Sequence, residues 1–390
     1  MKVDLVLPKQ EDGKPRGKRG VIVSRALAQL AAVTPENVQL RCIDEFFEKA
    51  TPSPNVDLVG ISVRTPQYKR AVEISQAYKN VGAKVVWGGI HPTALPLEKS
   101  ELVDCYVRGE AERTWPMLLG DFERGQLKKE YRDEVPVDIN AIPLPKREVC
   151  RTDNPFLVES LVTSRGCIYD CEHCSATLAY GGKGIRFVDV ERVSQDLASI
   201  PGKLVAVCDE NLLNSKRRAD DMFEIFAKSG KTFIAQFDPV SAKDPELAGK
   251  LKRAGVRVAL VGFESAYPAN FEGNKKYVHP SEWPGIVGRM RDNGIIVRGL
   301  FMFGLDCDDE RVFDETDRLT RNARIDQAYT GILTPFPGTR LYGRLEKEGR
   351  ILHSRWEEYD TKHVVFRPKN ISPEALQTKW NERYGFSLQA

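Results

Sequence analysis

The sequence predicts an α/β protein with two parallel-sheet domains and a short C-terminal extension. Two observations lead to this prediction. Short β-branched runs alternate with helical stretches on both sides of a polar, proline-containing segment, which is typical of parallel sheets covered by helices. A chain of 390 residues is also long enough to bury two separate cores. We place the first domain at residues 1–124, the linker at 125–155, the second domain at 156–340 and the extension at 341–390.

The first domain is predicted to be a Rossmann-like, doubly wound sheet. Apolar residues recur at helical spacing between its short strand-forming runs. The predicted strands are Val3–Leu7, Val38–Ile43, Leu58–Val63, Lys84–Trp87 and Val103–Val107, and the predicted helices are Val21–Ala32, Gln67–Asn80 and Ala111–Arg124. Ligands of such sheets bind at the carboxyl ends of the strands.

The second domain is predicted to be a partial (β/α)6 barrel, because the same alternation resumes with longer helices. Its first strand is the run around Phe156–Val162. The strands that follow are Leu204–Cys208, Thr232–Gln236, Arg257–Phe263, Ile295–Met302 and Gln327–Leu333, and the helices between them are Arg218–Lys228, Pro245–Ala254, Trp283–Asn293 and Glu310–Asn322. The chemistry of such barrels lies at the carboxyl ends of the strands.

Composition excludes several classes of protein. Lysine and arginine total 58 and aspartate and glutamate 55, so no basic surface for nucleic acid is expected. Eight cysteines in so long a chain do not form a disulfide framework, and a reducing cytoplasm is predicted. The chain opens on a strand rather than a signal peptide, and no apolar run reaches the roughly 18 residues of a membrane span.

Three cysteines share one loop near the middle of the chain. Cys167, Cys171 and Cys174 follow the spacing Cys-x3-Cys-x2-Cys, and no fourth cysteine lies nearby. Three thiolates on one metal centre leave a position open for a ligand. A zinc knuckle is the alternative, but zinc sites usually pair two Cys-x2-Cys units or add a distant histidine, and His173 directly precedes Cys174. The five remaining cysteines sit singly and are predicted to be small buried residues.

This spacing resembles the signature of the radical S-adenosylmethionine (radical SAM) enzymes. The resemblance implies a [4Fe-4S] cluster on the three cysteines, with SAM bound to the open iron. It also implies SAM contacts at the strand ends of the barrel, where Gly262-Phe263-Glu264-Ser265 closely matches a family motif. The family usually has an aromatic residue before its last cysteine; here that position is His173 and the nearest aromatic is Tyr169. The residues assigned to SAM are Tyr169, Asp209, Gln236, Glu264 and Arg298.

Three loops of the first domain resemble the cobalamin-binding domain found in one large class of radical SAM enzymes. They follow the third, fourth and fifth strands and include Gly-Gly-Ile-His-Pro-Thr and Arg-Gly-Glu-Ala-Glu. The residues assigned to cobalamin are Ser62, Arg64, Thr65, Gly88, Gly89, Ile90, His91, Gly109 and Glu110. His91 is either a cobalt ligand or a residue that fixes its own turn. The Asp-x-His-x-x-Gly motif of other cobalamin domains is missing, and the loop from Pro8 to Gly20 has no histidine.

The resemblance implies a cobalamin-dependent radical SAM C-methyltransferase. Hydrogen abstraction by a 5′-deoxyadenosyl radical would precede methyl transfer from methylcobalamin to an unactivated carbon, and an external one-electron reductant would be needed. The alternatives are a radical SAM cyclase, oxidase or isomerase without methyl transfer, and a non-catalytic iron–sulfur protein. The substrate is a small molecule or a peptide or protein side chain, the latter by overall resemblance to the protein glutamine C-methyltransferase branch that acts on methyl-coenzyme M reductase.

Overall fold

The computed structural model describes residues 1–10, 21–22, 24–95, 100–150, 157–180, 184–271 and 275–385. Its strands are β1 (Lys2–Leu7), β2 (Val21–Ile22), β3 (Gln39–Asp44), β4 (Leu58–Ser62), β5 (Lys84–Gly88), β6 (Cys105–Arg108), β7 (Glu130–Arg132), β8 (Leu157–Leu161), β9 (Ser164–Arg165), β10 (Arg186–Phe187), β11 (Leu204–Val207), β12 (Thr232–Phe237), β13 (Val256–Glu264), β14 (Ile296–Phe303) and β15 (Gln327–Ile332). Its helices are α1 (Arg25–Val33), α2 (Tyr68–Asn80), α3 (Ile90–Ala94), α4 (Thr114–Glu123), α5 (Ala176–Ala179), α6 (Val190–Ser199), α7 (Lys216–Ser229), α8 (Leu247–Arg253), α9 (Trp283–Asp292), α10 (Val312–Ala323), α11 (Arg340–Lys347) and α12 (Pro373–Tyr384).

The first sheet is parallel throughout, with strand order β3-β1-β4-β5-β6-β7. The central strand β4 is buried along almost its whole length, because helices cover both faces of the sheet. Five of its strands match the predicted ones within two residues. The sixth, β7, lies inside the predicted linker, where Tyr131 is buried against the sheet.

The second sheet is also parallel, with strand order β15-β14-β13-β12-β11-β8-β2. Six of these strands form the predicted barrel sheet. The seventh, β2, comes from the first domain and pairs with β8 at the edge. The helix predicted from Val21 therefore begins at Arg25, since the β-branched run before it extends the barrel sheet. Phe156 and most of the Pro8–Gly20 loop lie outside the described residues.

Side chains of the barrel strands alternate between a helix-covered core and an open lumen. On β14, Val297 and Phe301 are buried in the core under the helices, whereas Ile296, Arg298 and Leu300 lie on the opposite face. The lumen face is more accessible, and Ile296 is 47% exposed. The lumen face of β14 is thus less tightly covered than the face that packs against the helices.

The C-terminal extension joins the two domains. Helix α12 places Trp380 and Tyr384 in a core with Phe303 of β14. Ahead of it, Trp356 lies against His91 of the first domain, with ring centroids 5.7 Å apart. The extension therefore packs against both domains. No helix in the described part of the chain has the length and apolar character needed to cross a membrane.

Candidate functional site at the domain junction

A cavity of about 420 Å³ lies where the carboxyl ends of β4, β5 and β6 face the barrel. Its walls are largely apolar on the first-domain side. They include Leu5, Leu27, Leu30, Gly60, Val86, Val107 and Trp115, with Val162, Arg165, Tyr180 and Cys208 from the barrel. The volume falls within the usual range of ligand sites. Cys208 and Cys307 are predicted to be buried, but both are exposed: Cys208 follows β11 and lines the cavity, and Cys307 lies in a turn after β14.

Six of the nine residues assigned to cobalamin line this cavity. They are Ser62, Gly88, Gly89, Ile90, Gly109 and Glu110. Gly89 is required by the backbone, since its φ is +95° and a Cβ there would lie 2.8 Å from the Val63 carbonyl oxygen. The turn therefore keeps backbone, rather than side chain, at the cavity wall.

His91, Arg64 and Thr65 do not line the cavity. The imidazole of His91 is 3% exposed, with Nδ1 3.4 Å from Thr65 Oγ1 and its ring 5.1 Å from that of Tyr68. Burial lowers the pKa of His91 to about 4. Of the two roles predicted for this histidine, fixing the turn agrees with the geometry, since the ring points toward the extension.

The acid stability of the protein should depend on His91. Its pKa of about 4 in the folded protein lies below the ordinary 6.5, so between these pH values the unfolded chain binds more protons. The contribution of His91 to stability is complete above the ordinary pKa and decreases by about 3 kcal/mol as the pH falls toward 4. In His91→Gln the free energy of unfolding, measured by denaturant between pH 7 and 4, should fall less steeply. Exposed His279→Gln is the matched control, and equal slopes in both variants would contradict the assignment.

An ion-pair cluster ties the cavity to the cysteine loop. Arg165, two residues before Cys167, pairs with Glu110 and with Glu112, the latter at 2.5 Å, and Arg186 pairs with Glu110 at 2.9 Å. Burial alone would lower the pKa of Arg165, but the two carboxylates raise it above its ordinary value. Glu110 is assigned to cobalamin from the sequence, but its carboxylate forms ion pairs with two arginines of the barrel.

Polar side chains from the end of β11 hold the start of the cysteine loop. Asp209 is fully buried and accepts hydrogen bonds from Thr163 N at 2.6 Å and Ser164 Oγ at 2.9 Å. Asn214 donates to the Gly166 carbonyl oxygen and accepts from the Ile168 amide, both at 3.1 Å. Asp209, assigned to SAM from the sequence, therefore has its oxygens occupied by the loop.

Tyr169 is oriented by a residue that the sequence analysis missed. Its hydroxyl donates to Asp238 Oδ1 at 3.0 Å, and the side chain of Asn211 donates to Asp238 Oδ2 at the same distance. Asp238 is 1% exposed and follows β12 directly. Asp238 could have been recognised from the sequence as an acidic residue at the carboxyl end of a predicted barrel strand.

The three cysteines are neighbours on a partly buried loop beside Glu264. Burial raises the pKa of the Cys171 thiol to about 11, and the charges of the other two cysteines act on it in the same direction. Among the described residues no three histidine, cysteine or acidic side chains converge tightly enough to hold a single ion. A four-iron cluster allows larger distances between the three sulfur atoms, because each thiolate binds a different iron atom.

Glu264 ends β13 in a left-handed conformation, with φ of +66°. The register with β14 shifts at this point, and Glu264 forms an ion pair of 2.5 Å with the largely buried Lys276. Non-glycine residues held in this conformation cost about 1–3 kcal/mol and occur mainly where function requires them. The bulge turns the carboxylate toward the cysteine loop.

Gln236 and Arg298 lie deeper in the lumen than Glu264. Both are in register with Leu260, which precedes Glu264 by four residues, or about 13 Å along the strand. The five residues assigned to SAM therefore do not form one group. Tyr169 and Asp209 belong to the cysteine loop and its hydrogen-bond partners, Glu264 lies at the end of β13, and Gln236 and Arg298 lie deeper in the lumen.

The fold resembles that of two solved cobalamin-binding radical SAM enzymes. Radical SAM methyltransferase TsrM from Kitasatospora setae, whose structure contains cobalamin and a [4Fe-4S] cluster, superposes with a TM-score of 0.67 at 18% identity over 89% of this chain and 75% of that one. OxsB, solved with aqua-cobalamin and S-adenosylmethionine, gives 0.73 at 15% identity over 99% of this chain and 67% of that one. The predicted fold is confirmed.

Sequence comparison adds the activity class. Residues 5–119 match the B12 binding domain family. Bacteriochlorophyllide d C-8(2)-methyltransferase from Chlorobaculum tepidum is 28% identical, over 92% of this chain and 84% of that protein, and the C-12(1)-methyltransferase of the same organism is 27% identical over 95% and 84%. The chain is therefore a relative of methyltransferases, and the prediction of an enzyme of this class is confirmed. The predicted cofactors, cobalamin, a [4Fe-4S] cluster and SAM, are those bound in the two solved structures above.

Proposed function

We propose that this protein is a cobalamin-dependent radical SAM C-methyltransferase. The observation that carries the proposal is the pair of ion pairs between Arg165 and the glutamates Glu110 and Glu112 of the loop after β6, the cavity loop. It fixes a cysteine loop of radical SAM spacing against a cavity lined by the B12 binding domain. Methyl transfer by this route needs both cofactors in one chamber.

The chain offers a distinct set of groups to each cofactor. Cys167, Cys171 and Cys174 would hold the [4Fe-4S] cluster, with release of their thiol protons. Tyr169, within that loop, and Glu264, beside it, would contact SAM. Together these cofactors supply the radical that removes hydrogen and the methyl group that replaces it. Asp209, Asn214 and Asp238 would keep the loop and Tyr169 in place.

The cavity suits part of a corrinoid. Its volume is too small for a whole cobalamin, so its apolar walls would hold part of the cofactor. The amide oxygen of Gln29, on the wall, is buried and has no hydrogen-bond partner among the described residues. An unsatisfied buried acceptor is costly, and the peripheral amides of cobalamin are donors. No histidine lines the described part of the cavity, so no histidine is assigned as a cobalt ligand.

The test is a single turnover without substrate. The anaerobically reconstituted full chain, with hydroxocobalamin and titanium(III) citrate as the one-electron reductant, is mixed with SAM. We expect one equivalent of S-adenosylhomocysteine with methylcobalamin, and slower release of 5′-deoxyadenosine. Formation of 5′-deoxyadenosine alone would contradict methyl transfer and favour the cyclase, oxidase or isomerase alternative.

Filling the cavity should block cobalamin without disturbing the fold. A Cβ on Gly88 would meet Val107 at 3.6–3.7 Å, which is ordinary contact, so a side chain is tolerated there but projects into the space. Gly88→Leu should weaken hydroxocobalamin binding by about ten- to a hundredfold, since overpacking costs roughly 1–3 kcal/mol. Gly88→Ala is the matched control. Unchanged affinity in the leucine variant, measured by equilibrium dialysis, would place cobalamin elsewhere.

The substrate remains a prediction. The relatives above act, by their names, on bacteriochlorophyllide d, and two more distant ones are hopanoid methylases. A small apolar molecule is thus the better supported class. The protein glutamine branch has support from overall resemblance alone.

A further inference from the structure

We infer that the barrel lumen binds its substrate through a carboxylate, held by Arg298. This inference rests on the proposed function in one respect, that the lumen is the substrate chamber. Gln236, Leu260, Arg298 and Gln327 form one row across β12 to β15, because each is in register with the next. Strand alternation puts all four on the lumen face.

No carboxylate in the described part of the chain neutralises the guanidinium of Arg298. Its Nε is buried without a hydrogen-bond partner, and no ion pair to Arg298 occurs among the described residues. Its contact is the ring of Tyr329, with the guanidinium carbon 5.5 Å from the centroid. The lumen-facing positions of β11 to β15 carry one carboxylate, Glu264, and that one is paired with Lys276. A cation in this situation calls for an anionic ligand.

The surroundings of Arg298 favour an otherwise apolar ligand. Ile296, two residues before Arg298, and Tyr329, whose ring the guanidinium contacts, lie on the same face and are 47% and 41% exposed. The exposed amides of Gln236 and Gln327 lie in the same row as the guanidinium. One cation with flanking amides suits a singly charged carboxylate, which an arginine binds through two parallel hydrogen bonds.

In this role Arg298 binds the substrate and does not contact SAM. SAM would lie at the level of Glu264 and the cysteine loop, about 13 Å further along the strands. A substrate anchored at Arg298 would extend its apolar body up the lumen toward that level. The carbon to be methylated would then lie at the open end of the lumen, between the cysteine loop and the cavity.

The experiment compares a fluorescent acid with its neutral analogue. Pyrene-1-butyrate and pyrene-1-butanol are titrated into the anaerobic, cluster-loaded full chain. The wild type should bind the acid about ten- to a hundredfold more tightly than the alcohol, as expected for a charge-assisted bidentate pair. Arg298→Gln should lose this preference and Arg298→Lys should keep part of it. Arg311→Gln, which changes an exposed arginine outside the lumen, should behave as wild type.

SAM affinity is measured in parallel for Arg298→Gln, and Arg311→Gln should keep both SAM affinity and substrate-free release of 5′-deoxyadenosine at the wild-type level. An acid preference that survives in Arg298→Gln, or that the wild type never shows, would overturn the inference. If Arg298→Gln loses SAM affinity but keeps the preference for the acid, Arg298 binds SAM, as the sequence analysis predicts, and not the substrate. Because binding is measured without turnover, a chain that prefers the acid but forms no S-adenosylhomocysteine would refute the proposed function alone.

Discussion

Arg165→Gln is expected to lower the free energy of unfolding by about 3–5 kcal/mol, because it leaves buried carboxylates without their cation. The arginine side chain is 12% exposed, and Glu110 and Glu112 are 7% and 8% exposed. Arg186 can compensate Glu110 in part, but Glu112 has no other ion-pair partner among the described residues. The same change should separate the cavity loop from the cysteine loop. Denaturant unfolding followed by tryptophan fluorescence gives the loss directly, since Trp115 lies on the cavity wall.

Arg113→Gln is the matched control. Arg113 pairs with Asp133 at 2.8 Å but is 58% exposed, so this substitution should cost under about 1 kcal/mol. Equal effects of the two substitutions would show that the Arg165 cluster adds nothing beyond a surface ion pair. The junction would then be held by the apolar contacts of the extension.

Cys171→Ser is expected to abolish SAM cleavage. Loss of a direct cluster ligand should reduce 5′-deoxyadenosine formation by more than about 100-fold, since even changes behind the ligands of metal sites cost ten- to a hundredfold. After reconstitution the variant should contain little iron and sulfide and lack the visible absorbance of the cluster. Cobalamin binding should persist, because Cys171 does not line the cavity.

Cys307→Ser controls for the loss of a thiol as such. Cys307 is exposed and lies in a turn after β14, and its substitution should leave both iron content and SAM cleavage at the wild-type level. A Cys171→Ser protein that still binds four irons and cleaves SAM would remove the cysteine loop from the mechanism.

The sheets could be predicted because their signals are local. Alternating β-branched runs and apolar helical periods located five strands of the first sheet and six of the second within two residues, but not β7 or β2. The cysteine spacing and the Gly-Gly turn identified the two loops that face each other. These features depend on backbone requirements, such as the positive φ of Gly89, that few residue types meet.

Long-range pairings could not be predicted in the same way. Nothing near Glu110 in the sequence indicates that its partners are Arg165 and Arg186, which are 55 and 76 residues away. The same holds for β2, whose two residues join the sheet of the other domain. Asp209 stands at a strand end, as a ligand would, but its carboxylate is occupied by Thr163 and Ser164. Such competition between side chains appears only when the chain is folded.

The most direct test of the account is the distance between the two cofactors in one chain. With cob(II)alamin and the reduced cluster bound to the full-length protein, pulsed electron paramagnetic resonance should detect dipolar coupling between the two centres. Arg165→Gln should weaken or broaden it. Cobalamin bound without any coupling to the cluster, or a cluster-loaded chain with no affinity for cobalamin, would contradict a shared chamber at the domain junction.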